Sequence, residues 1–141
     1  MKLAGFSFNK VSIERFSDNF KDLKMDTNLS ISNIKELNQT YFKTKEGFIV
    51  VEFTFMIDYK PKIAKLEFNG KIVFSLDLKK MKEILKDWDL KKIEEELRIA
   101  VFNIILRKAN IKALQLEDEM GLPPHLNLPS IRKNEGTKKE K

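Results

Sequence analysis

Between Ile49 and Tyr59 the chain alternates. Odd positions hold Ile49, Val51, Phe53, Phe55, Ile57 and Tyr59, while Glu52, Thr54 and Asp58 fall on even ones. A period of two marks a strand with one buried face, so this stretch is predicted as a long β-strand. Lys60-Pro61-Lys62 supplies a turn. From Ile63 to Leu76 the alternation resumes, with Ala64, Leu66 and Phe68 on the same face as Ile72, Phe74 and Leu76. The two runs are expected to pair as an antiparallel hairpin. Gly70 interrupts the second, which signals a bulge or a close approach of another backbone.

Upstream the pattern is less regular. Phe6 and Phe8 are even, Val11 and Ile13 odd, and a phase switch near Asn9-Lys10 is what a β-bulge produces. Ser17–Asp26 reads as a polar loop pinned by Phe20, Leu23 and Met25. Leu29–Lys43 reads as a further strand with a shift before Ile34, and Lys45-Glu46-Gly47 as the turn that follows it.

Downstream the period changes. Leu78, Met81, Ile84, Leu85 and Trp88 recur at helical spacing, with Asp77 placed to cap a short helix. A longer helix is expected next, capped by Asp89, with Glu94, Glu95 and Glu96 near its positive end. Leu90, Ile93, Leu97, Val101, Ile104, Ile111 and Leu114 recur along it at near-heptad spacing. From Ile99 to Leu106 it is apolar nearly all the way round, which predicts burial on every side. In a domain with one sheet the second covering surface is expected to be another subunit; the alternative is a purely intramolecular core helix. Strands followed by helices make the fold class α+β.

Composition narrows the function. The 141 residues, 42% hydrophobic and 34% charged, fit one domain with a core. No run of 18 apolar residues exists, so no transmembrane helix is expected. The N-terminus lacks a continuous apolar stretch, so no cleaved signal peptide is expected and the protein is placed in the cytoplasm. With no cysteine, disulfides, thiol nucleophiles and cysteine-ligated metals are excluded. The net charge of +6 invites a nucleic-acid reading. Half of it, however, lies in residues 132–141, which hold five basic and two acidic side chains and nothing apolar. These residues are expected to form a charged tail without fixed structure, outside a domain spanning residues 1–131. Only four arginines occur (Arg15, Arg98, Arg107, Arg132), so base-specific readout gains little support. A nucleic-acid or ribosome-associated module using the basic sheet and the Lys-rich tail is the alternative function.

Enzymatic constellations are missing. Gly70-Lys71 fails as a phosphate loop because Lys65 and Ile72 stand where Gly and Ser or Thr are required. Glu94, Glu95 and Glu96 are adjacent on a helix and point in different directions. His125, between Pro124 and Leu126, has no Ser, Cys or acidic partner beside it in the sequence and reads as a loop side chain. No nucleophile–base pair, metal-ligand spacing or cofactor motif emerges, and no enzymatic activity is expected.

One segment redirects the question. Gly121-Leu122-Pro123-Pro124-His125-Leu126-Asn127-Leu128-Pro129-Ser130-Ile131, following a long helix, resembles the C-terminal part of the SecB export-chaperone family. With one insertion, the match extends back through Asn103-Ile104-Ile105 and Ala109, which look like that family's central helix. Leu66-Glu67-Phe68 through Val73-Phe74-Ser75 looks like its fourth strand, and Phe8–Glu14 is similar to its first. The resemblance implies a four-stranded antiparallel sheet with a short and a long C-terminal helix on one face. It also implies a dimer of dimers built around the long helix, with Leu97, Val101, Phe102, Ile104 and Ile105 at the interface. The implied function is an ATP-independent holdase for unfolded or precursor proteins, working through exposed apolar surface and strand edges. Phe68, Val73, Phe74, Leu122, Leu126 and Leu128 are then the client contacts. Glu14 and Glu67 match acidic positions at which family members dock the SecA motor, yet this chain is basic and lacks the aspartate expected just ahead of Glu14. A related branch serves toxin–antitoxin systems, so the partner is either a motor or an antitoxin.

Overall fold

The structure, a computed structural model, describes residues 1–37, 46–131 and 133. Four strands come first: β1 (Lys2–Arg15), β2 (Lys24–Glu36), β3 (Glu46–Lys60) and β4 (Ala64–Asp77). Two helices follow, α1 (Leu78–Asp89) and α2 (Glu95–Glu119). The end of the strand expected over Leu29–Lys43, the turn residue Lys45 and all but Lys133 of the charged tail lie outside the described residues.

The strands form one antiparallel sheet in the order β1-β4-β3-β2. The β3–β4 hairpin has the expected register, pairing Phe55 with Phe68, Val51 with Ile72 and Tyr59 with Ala64. All the odd-numbered apolar residues of β3 therefore share a face with the even-numbered ones of β4, and this face is buried. The rings of Phe55 and Phe68 stack at 5.8 Å, and Phe6, Phe8 and Phe53 extend the aromatic layer onto β1. Gly70 sits opposite both Phe8 and Phe53. A β-carbon there would lie 2.5 Å from the Ser7 carbonyl oxygen and 2.7 Å from Phe53 Cζ, so the close approach read from the sequence is real. The phase switch near Asn9-Lys10 is a register shift between Phe8 and Lys10, and that before Ile34 is one between Ile31 and Asn33. Two boundaries move. β2 begins at Lys24 rather than Leu29, and Glu46-Gly47 belongs to β3 rather than to a turn. Gly47 pairs with Leu76 under Met81, where a β-carbon would meet the Met81 sulfur, so this strand end also serves as a floor for α1.

Asp77 caps α1 as expected, its carboxylate accepting the Lys80 N–H at 2.8 Å. Met81 and Ile84 of α1 and the inner stripe of α2 join one core with the buried face of the sheet. The expectation that Asp89 caps the long helix is corrected: Asp89 is the last residue of α1. The chain stops there because Lys91 adopts a left-handed backbone, φ 60°. The Lys92 N–H then reaches the Asp87 carbonyl and the Lys91 N–H that of Trp88, the two bonds of a Schellman stop. α2 starts after Glu94, whose side chain makes no capping bond and instead receives Lys80 Nζ at 2.6 Å. The heptad expectation is corrected too. Buried positions recur every fourth residue, at Leu97, Val101, Ile105, Ala109, Ala113 and Glu117, whereas Ile111 is 64% exposed. The small side chains of Ala109 and Ala113 let the helix settle closely on the aromatic sheet.

Candidate functional site

The region that carries the resemblance begins where α2 ends. Gly121, at φ 68°, turns the chain: the Leu122 N–H bonds the Glu117 carbonyl at 2.9 Å and the Gly121 N–H that of Asp118 at 3.4 Å. A second Schellman stop results, this time on glycine, the residue that adopts left-handed backbone without steric cost. Arg15, at the end of β1, reinforces it by donating to the Met120 carbonyl at 2.9 Å.

Beyond Gly121 the chain doubles back along α2, and a buried polar cluster holds it there. Glu117 and His125 have side chains 1% and 2% exposed. His125 Nδ1 lies 2.9 Å from Glu117 Oε1, and its backbone N–H donates to the same oxygen at 3.1 Å. His125 Nε2 lies 2.8 Å from Asn110 Oδ1, two helical turns nearer the start of α2. From the sheet, the Tyr59 hydroxyl donates to Glu117 Oε2. Burial, then the hydrogen bond to Glu117 and its charge, push the Tyr59 phenol well above its ordinary pKa, so it remains a donor. Among the described residues no buried side-chain polar atom lacks a partner. The acidic partner missing from the sequence around His125 is thus supplied by the fold. Distance along the chain hid it, since Glu117 lies eight residues away and Tyr59 fifty-eight residues from Glu117.

With His125 turned inward, its neighbours turn out. Leu126 is 41% and Leu128 55% exposed, and Ile131 is fully exposed. Leu128 and Pro124 close a cavity of about 80 Å³ against Leu114, Leu122 and the Glu117–Asp118 pair. Further apolar side chains stand uncovered along α2: Ile99 at 51%, Leu106 at 36% and Ile111 at 64%. Leu3 and Val11, on the edge strand β1, are exposed as well.

The structure divides the residues singled out in the sequence. Phe68 and Phe74 face the helices and are buried, as is Leu122, so none of the three offers surface in this chain. Val73, next to Phe74 on the strand, is half-buried on the opposite face of the sheet. Only Leu126 and Leu128 come together as an exposed pair. Leu97, Val101 and Ile105 point into the chain's own core, while Phe102 and Ile104 are half-buried beside it. The outer residues Ile99, Leu106 and Ile111 were missed as surface, because near-continuous apolarity hides which side of a helix meets the sheet. Glu14 and Glu67 lie together on the open sheet face. Glu67 pairs with Lys10 at 3.4 Å and accepts from Asn69, which in turn accepts from Thr54. Glu14 stands opposite Lys65. Among the described residues no group of His, Cys, Asp and Glu is arranged to hold a metal ion, and no helix is long and apolar enough to cross a membrane.

The four-stranded antiparallel sheet, the two helices on one face and the folded-back C-terminal segment define a SecB-like α+β fold. Among solved structures, the chain is similar to the Mycobacterium tuberculosis Rv1957 SecB-like chaperone, solved in complex with a ChAD peptide from the Rv1956 HigA1 antitoxin. The TM-score is 0.53 at 12% identity, and the match covers 94% of this chain and 91% of the other. No known protein family and no curated protein matches the sequence.

Proposed function

We propose that this protein is an ATP-independent chaperone that holds unfolded protein segments on exposed apolar surface. The observation that carries the reading is the exposure of Leu126, Leu128 and Ile131 on the returning segment, where Leu128 and Pro124 wall a small cavity, on a SecB-like fold. Uncovered apolar side chains of this kind bind without directional demands, which suits clients that share no sequence. The open edges of β1 and β2 add backbone groups for an extended segment. Several such weak sites acting on one client yield avidity. The outer α2 residues Ile99, Leu106 and Ile111 are assigned to contact between copies, in a cytoplasmic dimer of dimers. The solved neighbour carries an antitoxin peptide, which favours an antitoxin over an exported precursor as the dedicated client. Glu14 and Glu67 remain the candidate docking acids for a further partner.

The nucleic-acid reading has less behind it. On the open sheet face Lys10, Lys35 and Lys60 are bonded to Glu67, Glu52 and Asp26, so these cations are already matched by carboxylates. One experiment tests the holdase: size exclusion with light scattering, alongside aggregation of an unfolded protein without nucleotide. Four chains of 16.5 kDa, about 66 kDa together, and suppressed aggregation are expected. A strict monomer that leaves aggregation unchanged overturns the proposal.

A further inference from the structure

The Glu117–His125 cluster is more elaborate than a helix stop requires. Gly121 and two backbone hydrogen bonds already end α2, and Arg15 covers the last carbonyls. For holding the segment down, an apolar side chain at each position would serve as well, because a buried ionisable pair is costly to desolvate. What an apolar pair lacks is register. Here the carboxylate of Glu117 takes three donors from two directions, the Tyr59 hydroxyl on the sheet and the His125 ring and backbone N–H on the returning segment. Asn110 fixes the other ring nitrogen. A slip of one residue would bring Pro124 or Leu126 to Glu117, neither of which has a side-chain donor, and would leave the carboxylate buried and short of partners. The neighbours of His125 are the groups that matter to a client: Pro124 and Leu128 wall the cavity, and Leu126 stands outward beside it.

We infer that His125 is a positioning residue for client binding, clasped by Glu117 and Asn110 so that the Pro124–Leu128 lip is held in one register over the Leu114–Leu122 floor. The inference rests on the holdase reading and adds to it the element that shapes its binding surface. Its client contacts are made by the apolar neighbours, and the histidine itself touches none.

The test compares the full-length wild type with three variants: H125A, H125N and the double variant L126S/L128S. Each is assayed for suppression of the aggregation of thermally unfolding citrate synthase, and for amide exchange in peptides covering residues 121–131 and residues 49–59. In H125A, exchange over 121–131 is expected to rise about tenfold or more while the strand peptide stays protected, since only the segment is released. Half-suppression is expected to need about tenfold more protein. In H125N the amide nitrogen replaces Nδ1 as donor to Glu117, and both readouts are expected to return to within about threefold of wild type. L126S/L128S is expected to lose holding with exchange unchanged, which separates the contacts from the clasp. If H125A holds citrate synthase as well as wild type does, with its segment loosened or not, the positioning role is overturned. Holding by L126S/L128S at the wild-type level removes the lip as the binding surface and overturns it equally. If loss of strand protection accompanies the defect in H125A and H125N restores neither readout, the cluster is a fold element and the inference fails. A wild type that leaves citrate synthase aggregating overturns the holdase reading itself, a result distinct from all of these.

Discussion

The two faces of the sheet are built from the same strands by opposite means. Toward the helices, Phe53, Phe55, Phe68, Ile72 and Tyr59 are wholly buried; the rings of Phe55 and Phe68 stack, and Phe8 bridges Phe68 to Phe53. On the open face the side chains between them meet across strands as Lys10–Glu67, Lys35–Glu52 and Lys60–Asp26, all partly exposed. Burial of apolar area stabilises the first face, at about 25 cal/mol per Å² removed from water. Solvated ion pairs contribute a median of about 0–1 kcal/mol each on the second. One face therefore fixes the fold, and the other can change its charges with little effect on folding. Glu14 and Glu67, matched in the sequence to docking positions, lie on the unconstrained face, whereas Phe68 and Phe74 lie on the constrained one.

Adjacent residues on β3 offer the most direct way to break this contrast. Phe55→Ala removes a ring from the stacked layer and is expected to cost about 3–5 kcal/mol, lowering the urea midpoint steeply. Thr54→Ala, one residue earlier and facing out, removes one methyl group and the hydroxyl that donates to Asn69 at 2.9 Å. About 1 kcal/mol or less is expected. Both are measured at one protein concentration, since association adds to apparent stability. Comparable losses would show that the open face is covered in solution and that the contrast is wrong.

Gly70 tests the packed face from the other side, by addition rather than removal. Gly70→Ala places a methyl group where Ser7 and Phe53 already stand. Overpacking of this kind costs about 1–3 kcal/mol. The chemical shifts of Phe53 and Phe8 should move with it, while residues of the open face such as Glu52 should not.

These contrasts were largely legible before the structure, because period-two alternation reports which face a residue takes whatever covers it. The β3–β4 register, both phase shifts and the Asp77 cap follow from local signals. The break between the helices was expected at Asp89, but its extent and its stop do not follow from such signals. It rests on Lys91 in a left-handed conformation, where glycine or asparagine is the usual marker, and α2 then starts without a side-chain cap. Gly121 ends α2 by the same geometry and was visible as part of a motif. Lys91→Gly is accordingly expected to raise stability by about 0.5–1 kcal/mol, read as a higher urea midpoint at unchanged slope. The Glu117–His125 cluster was illegible for a different reason: its partners meet only once the sheet, the helix and the returning segment are all in place. Glu117 reads in sequence as one of three acids ending a helix, and only the fold shows that it alone is buried.

The smallest expected effect probes the open face where it is most solvated. Lys60 Nζ lies 2.6 Å from Asp26 Oδ2, joining β3 to the edge strand β2. The hydrogen bond and charge of Lys60 hold the Asp26 carboxyl below the usual aspartate range, and Asp26 in return raises the Lys60 ammonium. A carboxyl with a depressed folded-state pKa contributes stability above its unfolded pKa and loses it as pH falls through the folded value. An ammonium with a raised one contributes below its unfolded pKa and loses it as pH rises through the folded value. The pair is therefore intact across the neutral range and weakens at both extremes. Lys60→Ala should return the Asp26 carboxyl-carbon titration midpoint toward the ordinary aspartate value, and about 1 M salt should do much the same in the wild type by screening. If salt leaves the midpoint depressed, the pair is shielded from solvent, and this corner of the open face belongs with the packed one.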